Sequence, residues 1–357
     1  TITSLPMLHL ALDQSTSATK ALLFSADGQI LDREARDHTQ HYPQPGWVEH
    51  DAEEIWQNTL HVLGTVAARQ AARWSEVVAL SITNQRETIL VFERGTGRPL
   101  HRALVWQCRR GGEICQQHLD TGDEAQVRSR TGLKIDPYFS GSKLQWFMEH
   151  RPEIAARLRD GSALVGTIDT YLIYRLTGGA VFATDGTNAC RTLLFDIVDR
   201  GWSTELCALW HVPVAALAEV RDSSAAYGET PLEGRWSKPL PIRGVMGDSQ
   251  AALLAQGCVK PGSAKATFGT GSSLLLNIGD RPRFSSQGVL TTLAWTLNGQ
   301  SAYAYEGVIV SAASTLTWLR DQLGLASSVN ELDQWASGLS DNGGVYLVPA
   351  FTGLGLP

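Results

Sequence analysis

Residues 8–12 (LHLAL) alternate apolar with less apolar positions, 13–19 (DQSTSAT) are polar, and 20–25 (KALLFS) are apolar again. This predicts a strand, a loop and a second strand. The turn ADGQ (26–29) leads to a third strand over 30–39, with Asp27-Gly28 as a hairpin signal. HYPQPGWVEHD (41–51) is Pro/Gly loop chemistry, and Asp51 is placed to cap a helix whose apolar positions recur at helical spacing from Ala52. Strands are expected at 77–83 and 88–93 around the polar turn NQRE (84–87). From 110 to 220 helical patterns dominate, including 142–158, interrupted by Pro152, and 167–178, stopped by Gly178-Gly179. A strand at 241–248 precedes a helix over 250–257. The opening pattern then recurs: strand AKATF (264–268), polar loop GTGSS (269–273), strand LLLNI (274–278). A strand pair turns at Asn298-Gly299, helices are expected over 308–325 and 329–339, and a last strand over 344–350. Two halves opening alike suggest a weak internal duplication, against the alternative that two hairpins look alike by chance. Stopping just after an apolar strand, the second copy reads as unfinished.

With 357 residues, 43% hydrophobic and 18% charged, the chain can build two soluble domains. A net charge of −6 argues against a nucleic-acid or anionic-membrane surface. It leaves phosphate binding open, since that needs only local donors. The five cysteines (Cys108, Cys115, Cys190, Cys207, Cys258) are widely spaced with no CxxC pair, as expected for reduced thiols in a cytoplasmic protein. The N-terminal residues lack a basic segment followed by a long apolar one, so no signal peptide is read, and no apolar run approaches membrane-spanning length.

No GxxxxGK[ST] loop is present, which speaks against a P-loop kinase. The 13–19 loop nonetheless offers hydroxyls, turn N–H groups and an acid, and Lys20 follows it. Such groups suit phosphate and, through Asp13, Mg²⁺; the alternative is a solvated hairpin turn. The same two readings apply to Gly269-Thr270-Gly271. Asp248, between a strand and a helix, is either a general base or a helix N-cap. Arg86-Glu87 is either a polyol-binding pair or an exposed ion pair of little worth. Trp106 and Tyr138 equally read as packing.

Ten collinear stretches resemble the glycerol kinases of the FGGY carbohydrate kinase family. Among them are LALDQSTSATKALLF, SITNQRETILVFERGTGRPLHRALVWQCRR, LKIDPYFSGSKLQWF, TNACRTLLFD, VMGDSQAAL, KATFGTGSSLL, YEGVIVSAASTLTWLRD and YLVPAFTGLGLP. The resemblance implies an α/β fold of two duplicated actin-like (RNase H-like) ATPase domains around a cleft. These would be a substrate-binding domain over 1–250 and the first part of a nucleotide-binding domain over 251–357, truncated relative to the family. It implies MgATP and glycerol as ligands and a homodimer or higher homo-oligomer. Asp13 would hold Mg²⁺ through water, and Thr16, Ser17, Ala18 and Lys20 would meet the terminal phosphates. Gly269, Thr270 and Gly271 would take the other side of the triphosphate, with Ala313 and Thr317 near the nucleotide. Arg86, Glu87, Trp106, Tyr138, Asp248 and Ser249 would surround glycerol, with Asp248 accepting the hydroxyl proton.

The chain departs from the family pattern at several of these positions. Ser15, Lys20, Ser249, Ala313, Thr317 and Gly186 stand where Gly, Arg, Gln, Gly, Gln and Tyr are usual. The Gly-rich loop tied to sugar-bisphosphate inhibition is replaced by EGRWSKPLP, so that inhibition is not expected. A Gly-Gly-Ala/Asn adenine motif is absent. Glycerol phosphorylation is the first expectation. A kinase for another polyol or ketose, suggested by Ser249, and a non-catalytic fragment are the alternatives.

Overall fold

In the computed structural model, residues 7–236, 238–269, 271–309 and 311–350 are described. Thr270, one of the expected phosphate ligands, lies outside the described residues, as does 351–357.

Strands β1 (Leu8–Gln14), β2 (Ala18–Phe24) and β3 (Ile30–Asp37) form an antiparallel meander. Helix α1 (Ala52–Arg69) begins at Asp51, whose side chain accepts from the Glu53 and Glu54 amides, as the sequence indicated. Its buried face, including Ile55, Leu60, Leu63 and Val66, joins one core with Leu8, Leu10 and Leu12 of β1 and Ala21 and Leu23 of β2. Strand β4 (Val77–Asn84) lies parallel to β1 with Asp13 opposite Thr83 and Gln14 opposite Asn84.

β5 (Ile89–Glu93) leaves this sheet and pairs antiparallel with β6 (Ala163–Thr167) in a second one. The NQRE turn is thus a crossing between sheets, not the tip of a hairpin. The expected helix over 142–158 is two, α2 (Ser140–His150) and α3 (Pro152–Arg159), with Pro152 in the first turn of α3. There its missing N–H costs nothing. α4 (Ile168–Leu176) follows β6, a strand the helical reading of this region missed, and Gly178 and Gly179 take positive φ beyond it.

β7 (Leu240–Gly247) returns to the first sheet parallel to β4, with Gly247 opposite Asn84. The sheet order is Glu229–Thr230, β7, β4, β1, β2, β3. The ends of β1, β4 and β7 therefore deliver Gln14, Asn84 and Gly247 to one edge, where α5 (Asp248–Ala255) starts, two residues earlier than its composition suggested.

The second half holds β8 (Ala264–Phe268), β9 (Ser272–Gly279), β10 (Leu290–Leu297) and β11 (Gln300–Ile309), all antiparallel in the order β8-β9-β11-β10. Asn298 (φ 52°) and Gly299 (φ 75°) make the β10–β11 turn with both residues left-handed, as an Asn-Gly hairpin requires. β10 is the seam with the first half. A Cβ on Gly132 (φ 73°) would lie 2.3 Å from the Thr291 carbonyl, and Thr291 N donates to Gly132 O at 2.9 Å. Gly186 likewise makes room, a Cβ there standing 3.2 Å from Leu293 Cδ1.

Two expectations fail beyond the sheet. The helix expected over 308–325 is only α6 (Ala313–Asp321), because β11 holds the chain extended through Ile309. α7 (Val329–Ser337) follows. Residues 345–350 form no strand: no other described strand pairs with them, and Val345 and Tyr346 are about four-fifths exposed. An apolar run becomes a strand only with a neighbour to take its N–H and C=O groups.

Candidate active site

The 13–19 loop is shorter than its polarity suggested, because β1 runs to Gln14 and β2 resumes at Ala18. Ser15 closes the remaining turn, its N–H and its hydroxyl each donating to Ala18 O at 2.9 Å. The turn is then bound to its neighbours. Gln85 N donates to Gln14 O at 2.8 Å, and the Gln85 amide donates to Gln14 Oε1 at 3.0 Å. His38 Nε2 meets Thr16 O at 2.8 Å, and Trp106 Nε1 donates to Thr16 Oγ1 at 2.9 Å. The Trp106 ring meets Tyr138 edge-on, 5.5 Å between centroids. At the mouth of this hairpin Lys20 Nζ pairs with Asp13 Oδ2 at 3.2 Å.

Arg86 and Glu87 are not an exposed pair. Both are buried, and Glu87 sits at φ 63°, a strained conformation for a non-glycine residue. The Ser140 hydroxyl holds its carbonyl at 2.8 Å. Beneath them lie two residues that sequence reasoning did not single out, Arg191 and Glu306. Arg191 Nε reaches Glu87 Oε1 at 2.6 Å, Arg191 Nη1 reaches Glu306 Oε2 at 2.5 Å, and Arg86 Nη1 reaches Glu306 Oε1 at 2.8 Å. Burial works against the charged form of each. For Glu306 the two guanidiniums outweigh burial and hold its carboxyl below the usual range. For Glu87 burial wins and the carboxyl is raised. A signal for both was present: each is a lone charge in a largely apolar run (NACRTLLF, AYAYEGVIV), and such a charge is buried only with a partner.

Asp248 is the first residue of α5. Gly247 is the cap, so the N-cap alternative fails. The Asp248 carboxylate lies 3.3 Å from Arg86 Nε and accepts from Ser249 N at 2.6 Å. Its side chain remains 46% exposed to the cavity, yet the protein around it raises its carboxyl above the ordinary range despite Arg86.

A cavity of about 360 Å³ joins the two halves at this point. From the first half it is lined by Thr16, Arg86, Glu87, Trp106, Tyr138, Asp248 and Ser249 together with Gln85. From the second come Gly269, Gly271, Thr267, Ser272 and Ser273. Asp13, Ser17, Ala18, Lys20, Ala313 and Thr317 are not in its lining. Ser17 is exposed and Ala18 buried in β2. Ala313 N donates to Gly269 O at 2.9 Å, which ties α6 to the glycine turn, and Thr317 is exposed one helical turn further on.

Among the described residues no group of three or more His, Cys, Asp or Glu side chains could hold a metal. Asp13 is instead a single carboxylate at a strand end. That donor set fits Mg²⁺, which keeps several waters and takes the rest of its oxygens from phosphates.

The model for the FGGY family of carbohydrate kinases, N-terminal domain, matches residues 8–255, and the chain belongs to that family. Its relatives define the kind more narrowly. It is 49% identical over 348 residues to a glycerol kinase of Thermus brockianus and 47% identical to one of Shewanella sp. (strain MR-4). In each case 98% of this chain aligns with 70% of the relative. Among solved structures it matches the Plasmodium falciparum glycerol kinase with ADP at a TM-score of 0.91 and 33% identity, over 98% of this chain and 70% of that one. The fold is that of the actin-like sugar kinases.

Proposed function

We propose that the chain transfers the γ-phosphoryl group of ATP to a hydroxyl of glycerol, giving glycerol 3-phosphate and ADP, with Asp248 as general base. The observation that carries this reading is the shared cavity. It puts a carboxylate raised by the protein around it between a polar, aromatic-sided polyol pocket and a rim from the second half that carries Gly269, Gly271 and the short hydroxyl side chains of Ser272 and Ser273. In the step we envisage, the attacking hydroxyl gives its proton to Asp248 as its oxygen bonds to the γ-phosphorus. The bond from that phosphorus to the β-bridging oxygen breaks, and ADP leaves. Arg86 and Glu87 hydrogen-bond the polyol hydroxyls, and Trp106 and Tyr138 wall its carbon chain. Because both charges are already fixed by Arg191 and Glu306, little reorganisation is needed when substrate enters. Mg²⁺, held at Asp13 through water, would supply charge neutralisation at the phosphates, with Thr16 and the 269–271 turn on either side.

The same reading assigns 1–250 to substrate and 251–357 to nucleotide. It includes a homodimer or higher homo-oligomer, which sedimentation reads directly, and a cytoplasmic setting. Five free, buried thiols suit a reducing compartment, and among the described residues no helix is long and apolar enough to cross a membrane.

One observation favours a second substrate class. Ser249, Ser272 and Ser273 line the cavity with short hydroxylated side chains, leaving room for a longer polyol or a ketose. A coupled ADP-release assay with MgATP and glycerol, erythritol, xylulose or ribulose separates the two, and glycerol is expected to give the highest kcat/KM. Asp248→Asn is expected to lower kcat by about 10²–10⁴-fold with glycerol binding little changed. Near-normal turnover in that variant removes Asp248 from the base role.

A further inference from the structure

Lys143, in the first turn of α2, is completely buried, and its three donors go to three consecutive carbonyls. Nζ reaches Pro137 O at 2.5 Å, Tyr138 O at 2.9 Å and Phe139 O at 3.1 Å. An ammonium has three N–H groups and no acceptor, so this set uses it completely. Burying an ammonium is costly, and an apolar side chain of the same length would pack there without that cost. The segment it holds carries Tyr138, which lines the cavity and meets the Trp106 ring. The segment is also held by Tyr138 N to Asp136 Oδ1 at 2.8 Å, by Phe139 N to Asp136 O at 3.1 Å and by the buried Phe139 ring, but among the described hydrogen bonds only those of Lys143 tie all three carbonyls together.

We propose that Lys143 is a positioning residue of the polyol site: its ammonium clasps the 137–139 carbonyls and thereby sets the Tyr138 ring against the substrate. The proposal rests on the reading of this cavity as the polyol site. Burial lowers the Lys143 ammonium to about 8. The groups facing it are Cys108, Cys115, Glu87 and Asp136. Cys115 is itself pushed up to about 11 by burial and stays neutral across this range. As pH rises through about 8 the ammonium becomes an amine with two N–H groups and a lone pair. One carbonyl then loses its donor and faces that lone pair, and the segment loosens.

The test is glycerol affinity and steady-state kinetics from pH 6.5 to 9 in wild type, Lys143→Met and Lys265→Met. Lys265 is the control because it too is a lysine lowered by burial, facing Asp248 and Glu306. Wild type is expected to lose glycerol affinity above pH 8 while KM for ATP stays level. Lys143→Met should raise KM for glycerol at pH 7 by about tenfold or more, as expected for lost charge-assisted hydrogen bonds, with kcat changed far less. Its pH limb should vanish, while Lys265→Met should keep it. A limb that persists in Lys143→Met, or a glycerol KM unchanged in that variant, overturns the proposal. If Lys143→Met does not fold, calorimetric glycerol binding to wild type decides: an affinity independent of pH from 6.5 to 9 overturns it. Absence of any glycerol binding or turnover by wild type at pH 7 is a different result, and refutes the polyol reading itself.

Discussion

Arg86, Arg191, Glu87 and Glu306 are buried together, and their formal charges cancel. Replacing Glu306 with Leu leaves two buried guanidiniums with one buried carboxylate, Glu87, the Asp248 carboxylate beside Arg86 being half-exposed; replacing Arg191 with Met leaves two buried carboxylates facing one guanidinium. Either single change strands a charge that is cut off from water. Breaking a buried ion pair from one side costs about 3–5 kcal/mol. Making both changes leaves the buried pair Arg86 and Glu87, 4.0 Å apart, with the half-exposed Asp248 still 3.3 Å from Arg86 Nε. The double variant should therefore fall well short of the sum of the singles, with a coupling of about 2–3 kcal/mol. Thermal unfolding followed by calorimetry reads this out. At about 2–4 °C per kcal/mol for a domain of this size, each single variant should lose roughly 6–20 °C. With that coupling the double should lose about 3–8 kcal/mol, against about 6–10 kcal/mol for the sum of the singles. Strictly additive losses would show that the four groups do not act as one neutral set, and the account of the site floor would be wrong.

Two further outcomes are expected. Asp169 is fully buried beside Asp185 and is raised to about 7, by burial first and then by that like charge. A raised carboxyl binds its proton in the folded state where the unfolded chain has released it, so its contribution to stability is lost as pH rises from about 4 to 7. Asp169→Asn keeps an acceptor for the Thr184 hydroxyl, now 2.6 Å from Asp169, without the charge. It should raise Tm at pH 8 more than at pH 5; a uniform loss at both would count against the assignment. Gly132→Ala places a Cβ on the Thr291 carbonyl at positive φ and should cost about 1–3 kcal/mol by urea unfolding, because neither backbone can yield. A neutral result would show that the β10 seam is loose.

Local chemistry was legible in the sequence wherever the cause is local. Asp51 caps α1 with its own oxygen, Asn298-Gly299 turns β10 into β11 by its left-handed backbone, and Pro152 ends one helix and starts the next. The motif residues Arg86, Glu87, Trp106, Tyr138, Asp248 and Ser249 are likewise brought to one cavity. Assembly was not legible. Whether NQRE closes a hairpin or crosses between sheets depends on which strands lie beside β4 and β5, and those partners come from residues 8–14, 163–167 and 240–247. The apolar run at 345–350 forms no strand because a ladder needs a second strand, which no stretch of sequence supplies by itself. The same holds for the site floor. A lone Arg191 and a lone Glu306, far apart along the chain, carry no sign of each other. The packing of β11 under the NQRE turn makes them partners, and only burial makes that pairing obligatory.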